Sequence, residues 1–268
     1  MKQQHQARKR FGQNFLTDRG IIERIVHGIN PVPGEKIVEI GPGLGALTCP
    51  LLKKAHELDV IELDRDIIPK LSHNCGHLGK LRVHQCDVLE FDFGQLTSDR
   101  SLRIVGNLPY NISTPIIFHL VTHAALIRDM HFMLQKEVVE RLAAKPNNAD
   151  YGRLTIMAQL HFAITPLFLV PPEAFSPQPK VESAIVRLQP RTTPLFELSS
   201  QQTFAELVKR AFSQRRKTLH NTLKDLCDDA MLQTASIGPG QRAQELRLDQ
   251  FATLANLLHA SPGYNNGG

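Results

Sequence analysis

The chain has 268 residues, 42% hydrophobic and 21% charged, with a formal charge of +5. This is globular material, long enough for one large domain plus a smaller one. No run approaches the roughly 18 apolar residues that a membrane helix needs, and no apolar stretch follows the basic start "MKQQHQARKRFGQNF", so neither a span nor a secretory signal is expected and the expected location is cytoplasmic.

After a polar arm, "IIERIVHGI" has helical apolar spacing, and "PVPG" breaks it before "EKIVEI", a run suited to a buried strand. That strand runs into "GPGLGALT". Segments then alternate: helix "ALTCPLLKKA", strand "LDVIEL", helix "DRDIIPKLSH", strand "LRVHQCD", strand "LRIVGNLPY", helix "TPIIFHLVTHAAL" and strand "DMHFMLQ". Strands separated by helices of this length imply parallel crossovers, so the expected fold class is α/β with a doubly wound sheet. Pro69 is expected to shorten or kink its helix, and Ser113 reads as an N-cap.

Beyond Gln135, "LTIMAQLHFAITPLFLV" and "ESAIVRLQP" read as longer strands, the second with alternation that suits an antiparallel partner. The segment 189–200, "QPRTTPLFELSS", is rich in Pro, Thr and Ser and reads as a boundary. Helical spacing dominates after it. The expected domains are 1–192 and a small all-helical domain at 200–262.

Cys49, Cys75, Cys86 and Cys227 show no CxxC spacing and read as reduced and structural. No metal site is expected: "HNCGH" lacks a fourth ligand nearby, and His119 with His123 has Leu120 where a zinc protease would carry glutamate. The excess positive charge is concentrated in two acid-free clusters. One holds Arg8, Lys9 and Arg10; the other holds Lys209, Arg210, Arg215, Arg216 and Lys217. Brought together by folding, they would make a phosphate-binding footprint.

"EIGPGLGA" puts Gly41, Gly43 and Gly45 between a strand and a helix, where glycines let backbone N–H groups approach a ligand. Glu62 ends the next strand and Asp87 the one after, placed to accept from ribose hydroxyls and from an adenine amino group. The pattern fits a bound adenosine. It leaves NAD and S-adenosylmethionine both open, since GxGxxA is also a dinucleotide fingerprint.

The tetrapeptide Asn107-Leu108-Pro109-Tyr110 follows the fourth strand, at an edge where open sheets place their ligand crevice. Here the sequence resembles the class I S-adenosylmethionine-dependent methyltransferases, whose amino-methylating members carry an Asn/Asp-x-Pro-Tyr/Phe motif. Together "RKRFGQNFL", "VEIGPGLGALT", "VIELDRD", "GNLPYNISTPI", "MLQKEV", "AFSPQPKVESAIVRL" and "AFSQRRKTLHN", spanning about residues 8 to 221, resemble the ribosomal RNA small-subunit adenine dimethyltransferases.

That resemblance implies a Rossmann-like, mostly parallel seven-stranded sheet with the small helical domain at its C-terminal side. It implies S-adenosylmethionine as cofactor, held by Asn14, Leu16, Gly41, Gly43, Glu62, Asp87 and Asn107. It implies catalysis at Asn107, Leu108, Pro109 and Tyr110, with Phe175 as a second aromatic on the target base; from the residues alone, Phe175 reads equally well as a core anchor. The partner it implies is small-subunit rRNA within a 30S assembly intermediate, gripped by the basic clusters, with the enzyme a monomer that dimethylates two adjacent adenines in a hairpin loop near the 3′ end of 16S rRNA. Competing readings are a methyltransferase of large-subunit rRNA, an NAD-dependent oxidoreductase, and a non-catalytic assembly factor on the same fold.

Overall fold

Short runs of Ile, Val and Leu make the strands, and Gly, Pro and Asn end them. The structure, a computed structural model, describes residues 14–214 and 216–261. Its elements run β1 (Phe15–Leu16), α1 (Arg19–Ile29), β2 (Ile37–Ile40), α2 (Thr48–Ala55), β3 (Glu57–Ile61), α3 (Ile68–Cys75), β4 (Lys80–His84), β5 (Leu102–Asn107), α4 (Ser113–Thr122) and β6 (Ile127–Gln135). They continue with α5 (Lys136–Ala143), α6 (Arg153–His161), β7 (Phe162–Val170), β8 (Phe175–Ser176), β9 (Ser183–Pro190), α7 (Gln201–Ala211), α8 (Leu219–Leu223), α9 (Asp229–Thr234) and α10 (Leu248–Ala260).

Seven strands form one sheet in the order β4-β3-β2-β5-β6-β9-β7. Neighbours from β4 through to β6 are parallel, and β9 runs antiparallel to β6. The chain moves outward from β2 to β3 and β4, then returns to lay β5 on the other side of β2. That reversal opens a crevice beyond the C-terminal ends of β2 and β5, where such sheets bind ligands. β1 lies outside this sheet and pairs with β8, Leu16 opposite Phe175.

At the opposite end of the strands, Arg103 is buried and bonds Asp129 (2.9 Å), Glu35 (2.8 Å) and the Ile29 carbonyl (2.7 Å). It ties β5, β6 and the end of α1 together. The flanking guanidinium holds the Asp129 carboxyl below the usual carboxylate range against the upward push of burial.

The chain divides into two compact units, one of residues 1–139 and 163–190, the other of 140–162 and 191–268. The core of the second contains Tyr151, Ile156, Phe204, Leu207, Leu246, Phe251 and Leu254. Within it, the Tyr151 hydroxyl donates to the Leu246 carbonyl (2.9 Å), and Gln159 donates to the carbonyls of Leu142 and Ala144 (both 2.9 Å).

Several expectations change. The division at 192–200 assigned 140–162 to the first unit, whereas that segment packs in the helical one. "LTIMAQLH" is helical, in α6, and only the following "FAITPLFLV" is a strand. An apolar run without period does not separate a buried helix from a buried strand. Cys49 and Cys75 are bonded to each other, because α2 begins where α3 ends; Cys86 and Cys227 are free. Pro69 occupies the first turn of α3, where its missing N–H costs nothing. Ser113 is the first residue of α4 rather than its cap, and its hydroxyl donates to the Tyr110 carbonyl (3.3 Å). Among the described residues, no helix is long and apolar enough to cross a membrane.

Candidate active site

A cavity of about 650 Å³ occupies the crevice, a size suited to a small-molecule ligand. Gly41, Gly43 and Gly45 line one wall with φ of +67°, +55° and +98°, a region that L side chains rarely enter. A Cβ on Gly43 would lie 3.3 Å from the Phe15 ring, and one on Gly45 would collide with Cys75 Sγ. The loop is therefore bare backbone packed between β1 and the helices behind it. Side chains at Gly43 and Gly45 would run into those neighbours, so the loop keeps its main chain uncovered on the cavity side.

Three carboxylates face this space. Glu39, 2% exposed in β2, accepts from Thr48 Oγ1 at 2.6 Å, and burial pushes its carboxyl up to about 7. Glu62, just past β3, accepts from the backbone N–H of Asp64 (2.8 Å) and also from that of Gly43; burial raises it too. Asp87, just past β4, accepts from Leu89 N–H (2.9 Å). Among the described lining residues there is no Lys or Arg. Carboxylates on this wall suit a ligand that carries hydroxyl, amine or cationic groups.

Another wall is the tetrapeptide that begins with Asn107, the last residue of β5. Leu108 N–H donates to the Met133 carbonyl (3.1 Å), and Ile112 N–H donates to the Pro109 carbonyl (3.2 Å), closing a turn before α4. Asn107 Nδ2 donates to the Asn14 carbonyl (3.1 Å), which turns Oδ1 the other way. Tyr110 is half-buried, and its hydroxyl lies 2.8 Å from Ser183 Oγ. Burial raises its phenol above the ordinary value, and the Ser183 bond opposes that.

The structure brings Asn14, Leu16, Gly41, Gly43, Glu62, Asp87 and Asn107 to Tyr110 around one cavity. Phe175 is not among its lining residues. It is 5% exposed and belongs to the core with Leu16 and Phe168, the anchor reading of that side chain. Lys209, Arg210, Arg216 and Lys217 are exposed; Lys209 pairs with Glu206 and Arg210 with Asp225. Arg8, Lys9, Arg10 and Arg215 lie outside the described residues. His119 bonds the Phe91 carbonyl (3.0 Å) and packs against His123.

Sequence reasoning missed Phe15 on the glycine loop, Thr48 on Glu39 and Asn74, whose amide donates to the Leu44 carbonyl (2.9 Å). Thr48, nine residues after Glu39 at the start of the next helix, was the one legible pair.

Residues 4–260 match the ribosomal RNA adenine dimethylase family. The chain belongs to that family. Members are S-adenosylmethionine-dependent methyltransferases, and this member is an enzyme of that class. Relatives include the ribosomal RNA small subunit methyltransferases A of Pseudomonas putida, 55% identical over 95% of this chain and 96% of that one, and of Pseudomonas aeruginosa, 54% identical over 97% of each. Among solved structures, a dimethyladenosine transferase from Plasmodium falciparum aligns with a TM-score of 0.77 at 27% identity over 90% of this chain and 95% of that one. The 23S rRNA methyltransferase ErmE aligns with a TM-score of 0.71 at 27% identity over 92% and 100%.

Proposed function

We propose that this dimethylase family member transfers methyl groups to N6 of two adjacent adenines in a hairpin loop near the 3′ end of small-subunit rRNA. The observation that supports it best is the juxtaposition in one cavity of an acid-lined glycine cradle with Asn107, Leu108, Pro109 and Tyr110. The names of the relatives support the small-subunit substrate.

Glu62 and Asp87 are placed to accept from the ribose and adenine of the cofactor, while Gly41, Gly43, Asn14 and Leu16 enclose its amino-acid end. Asn107 serves both sides of the cavity. When bound, S-adenosylmethionine supplies a methyl on a positively charged sulfur; transfer forms an N–C bond, breaks the S–C bond and releases one N–H proton.

An adenine amine is a poor nucleophile because its lone pair is delocalised into the ring. Asn107 Oδ1 and the Leu108 carbonyl are acceptors for its two N–H bonds, and accepting from both favours a localised lone pair on nitrogen. Pro109 fixes the backbone between them and the ring of Tyr110, which offers its face to an extruded base. Phe175, anchored in the core, would serve the base only after its loop opens.

The basic residues of the helical unit, Lys209, Arg210, Arg216 and Lys217, position rRNA phosphates without reading sequence. Arg8, Lys9, Arg10 and Arg215 are further candidates for phosphate contacts on the same RNA. The substrate is an assembly intermediate of the small subunit, and the enzyme acts as a cytoplasmic monomer. The test is transfer of tritiated methyl to small subunits lacking the modification, with the product digested to nucleosides. N6,N6-dimethyladenosine is expected; tight binding without transfer would make the chain a scaffold instead.

A further inference from the structure

The base platform, Tyr110, sits on a turn outside the sheet, yet its far end is moored to the sheet. Ser183 opens β9 and is wholly buried, opposite Gln135 at the end of β6. That strand end is pinned: Lys136 N–H donates to the Glu182 carbonyl (3.0 Å), and the Lys136 ammonium pairs with the Glu182 carboxylate (2.8 Å). Among the described residues, the bond of 2.8 Å between Tyr110 and Ser183 is the only hydrogen bond that either hydroxyl makes.

The phenol oxygen lies on the axis about which the ring rotates. A bond there leaves rotation to the neighbours and fixes where the ring is aimed. Removing the phenol oxygen strands the Ser183 hydroxyl in a wholly buried place, and removing the Ser183 hydroxyl leaves the half-buried phenol without its partner, the costly way to lose a hydrogen bond.

We propose that Ser183 is a positioning residue that aims Tyr110 at the target base, and that it matters most for the second methyl transfer to each adenine. This rests on Tyr110 being the platform. An unmodified adenine offers two N–H bonds to Asn107 Oδ1 and the Leu108 carbonyl. After one transfer it offers one. The base then depends more on the aromatic face to stay in register.

The experiment uses the full chain, small ribosomal subunits lacking the modification and labelled S-adenosylmethionine, with N6-methyl- and N6,N6-dimethyladenosine quantified over time. Ser183→Ala and Tyr110→Phe are each expected to slow the second transfer about fivefold to tenfold, the range of one buried hydrogen bond. Monomethyladenosine should accumulate while the KM for S-adenosylmethionine stays unchanged. The double variant should be no worse than either single one, and Ser183→Thr should restore the wild-type ratio. Wild-type product ratios in both single variants, or effects that multiply in the double variant, overturn the assignment. Tyr110→Ala separates the two levels: full activity there removes the platform and Ser183 with it, whereas an inactive Tyr110→Ala beside normal Tyr110→Phe and Ser183→Ala removes Ser183 alone.

Discussion

The side-chain amide of Asn107 is held by the backbone carbonyl of Asn14, 93 residues earlier, at 3.1 Å. The amide has one donor end and one acceptor end, so engaging Nδ2 leaves Oδ1 for another donor. The segment that closes the cofactor side thus also sets the orientation of the residue proposed to receive the target amine. Asn107→Ala is expected to lower kcat about 10²–10³-fold, the usual cost of removing one hydrogen-bonding group that acts in the transition state. Single-turnover methyl transfer measures it, and a variant that keeps wild-type kcat would falsify the role.

Glu39 gives a pH dependence. Its folded-state carboxyl, held near 7 by burial, keeps its proton after the unfolded chain has released one at about 4.5. The folded state therefore binds more protons between those values, and stability falls as pH rises through that window. Glu39→Gln keeps an acceptor for Thr48 and removes the titration. Urea unfolding at pH 5 and pH 8 should show the variant gaining about 2.5 kcal/mol on the wild type over that interval. Parallel stability curves for the two proteins would show that Glu39 ionises normally.

Arg103 is the buried hub between β5, β6 and α1. Arg103→Leu leaves the buried Asp129 carboxylate with only the longer contact to Arg187 (3.4 Å), and is expected to cost about 3 kcal/mol, the low end for breaking a buried pair. Thermal unfolding should register the loss. Asp129→Asn with Arg103→Leu should recover part of it, because the stranded charge is gone.

The Cys49–Cys75 bond is checked by counting thiols. Denatured without reductant, the protein should react with a thiol reagent at two cysteines, Cys86 and Cys227, and at all four after reduction. Four reactive thiols before reduction would return the pair to the reduced state expected from sequence.

For RNA, Arg216→Glu with Lys217→Glu should weaken binding to the small subunit and lower the slope of log affinity against log salt by about 2, roughly one for each phosphate no longer neutralised. An unchanged slope would move the RNA footprint elsewhere.

The catalytic half of the fold was legible because its signals are local. A strand ending in Gly41-Pro42-Gly43 needs no knowledge of neighbours, and neither does the Asn107 to Tyr110 motif. What stayed hidden depends on residues distant in sequence. Residues 140–162 read as part of the first domain because their helical unit is completed only by α7 to α10, far down the chain. Cys49 and Cys75 meet because α2 and α3 pack behind the glycine loop, and no spacing rule encodes that. Ser183 looked like one residue of an alternating strand; its bond to Tyr110 spans 73 positions.

β2 and β5 are hydrogen-bonded neighbours, with Val38 opposite Ile104 and Glu39 opposite Val105. The loop that cradles the cofactor leaves one of these strands, and the tetrapeptide proposed to receive the substrate leaves the other. Their roots are therefore one strand spacing apart, about 4.8 Å. The reach between the two loop roots is inherited from the main-chain ladder, whatever side chains the loops carry. Loops and surface charges around the crevice could be exchanged to admit a different nucleic acid while that reach stayed the same.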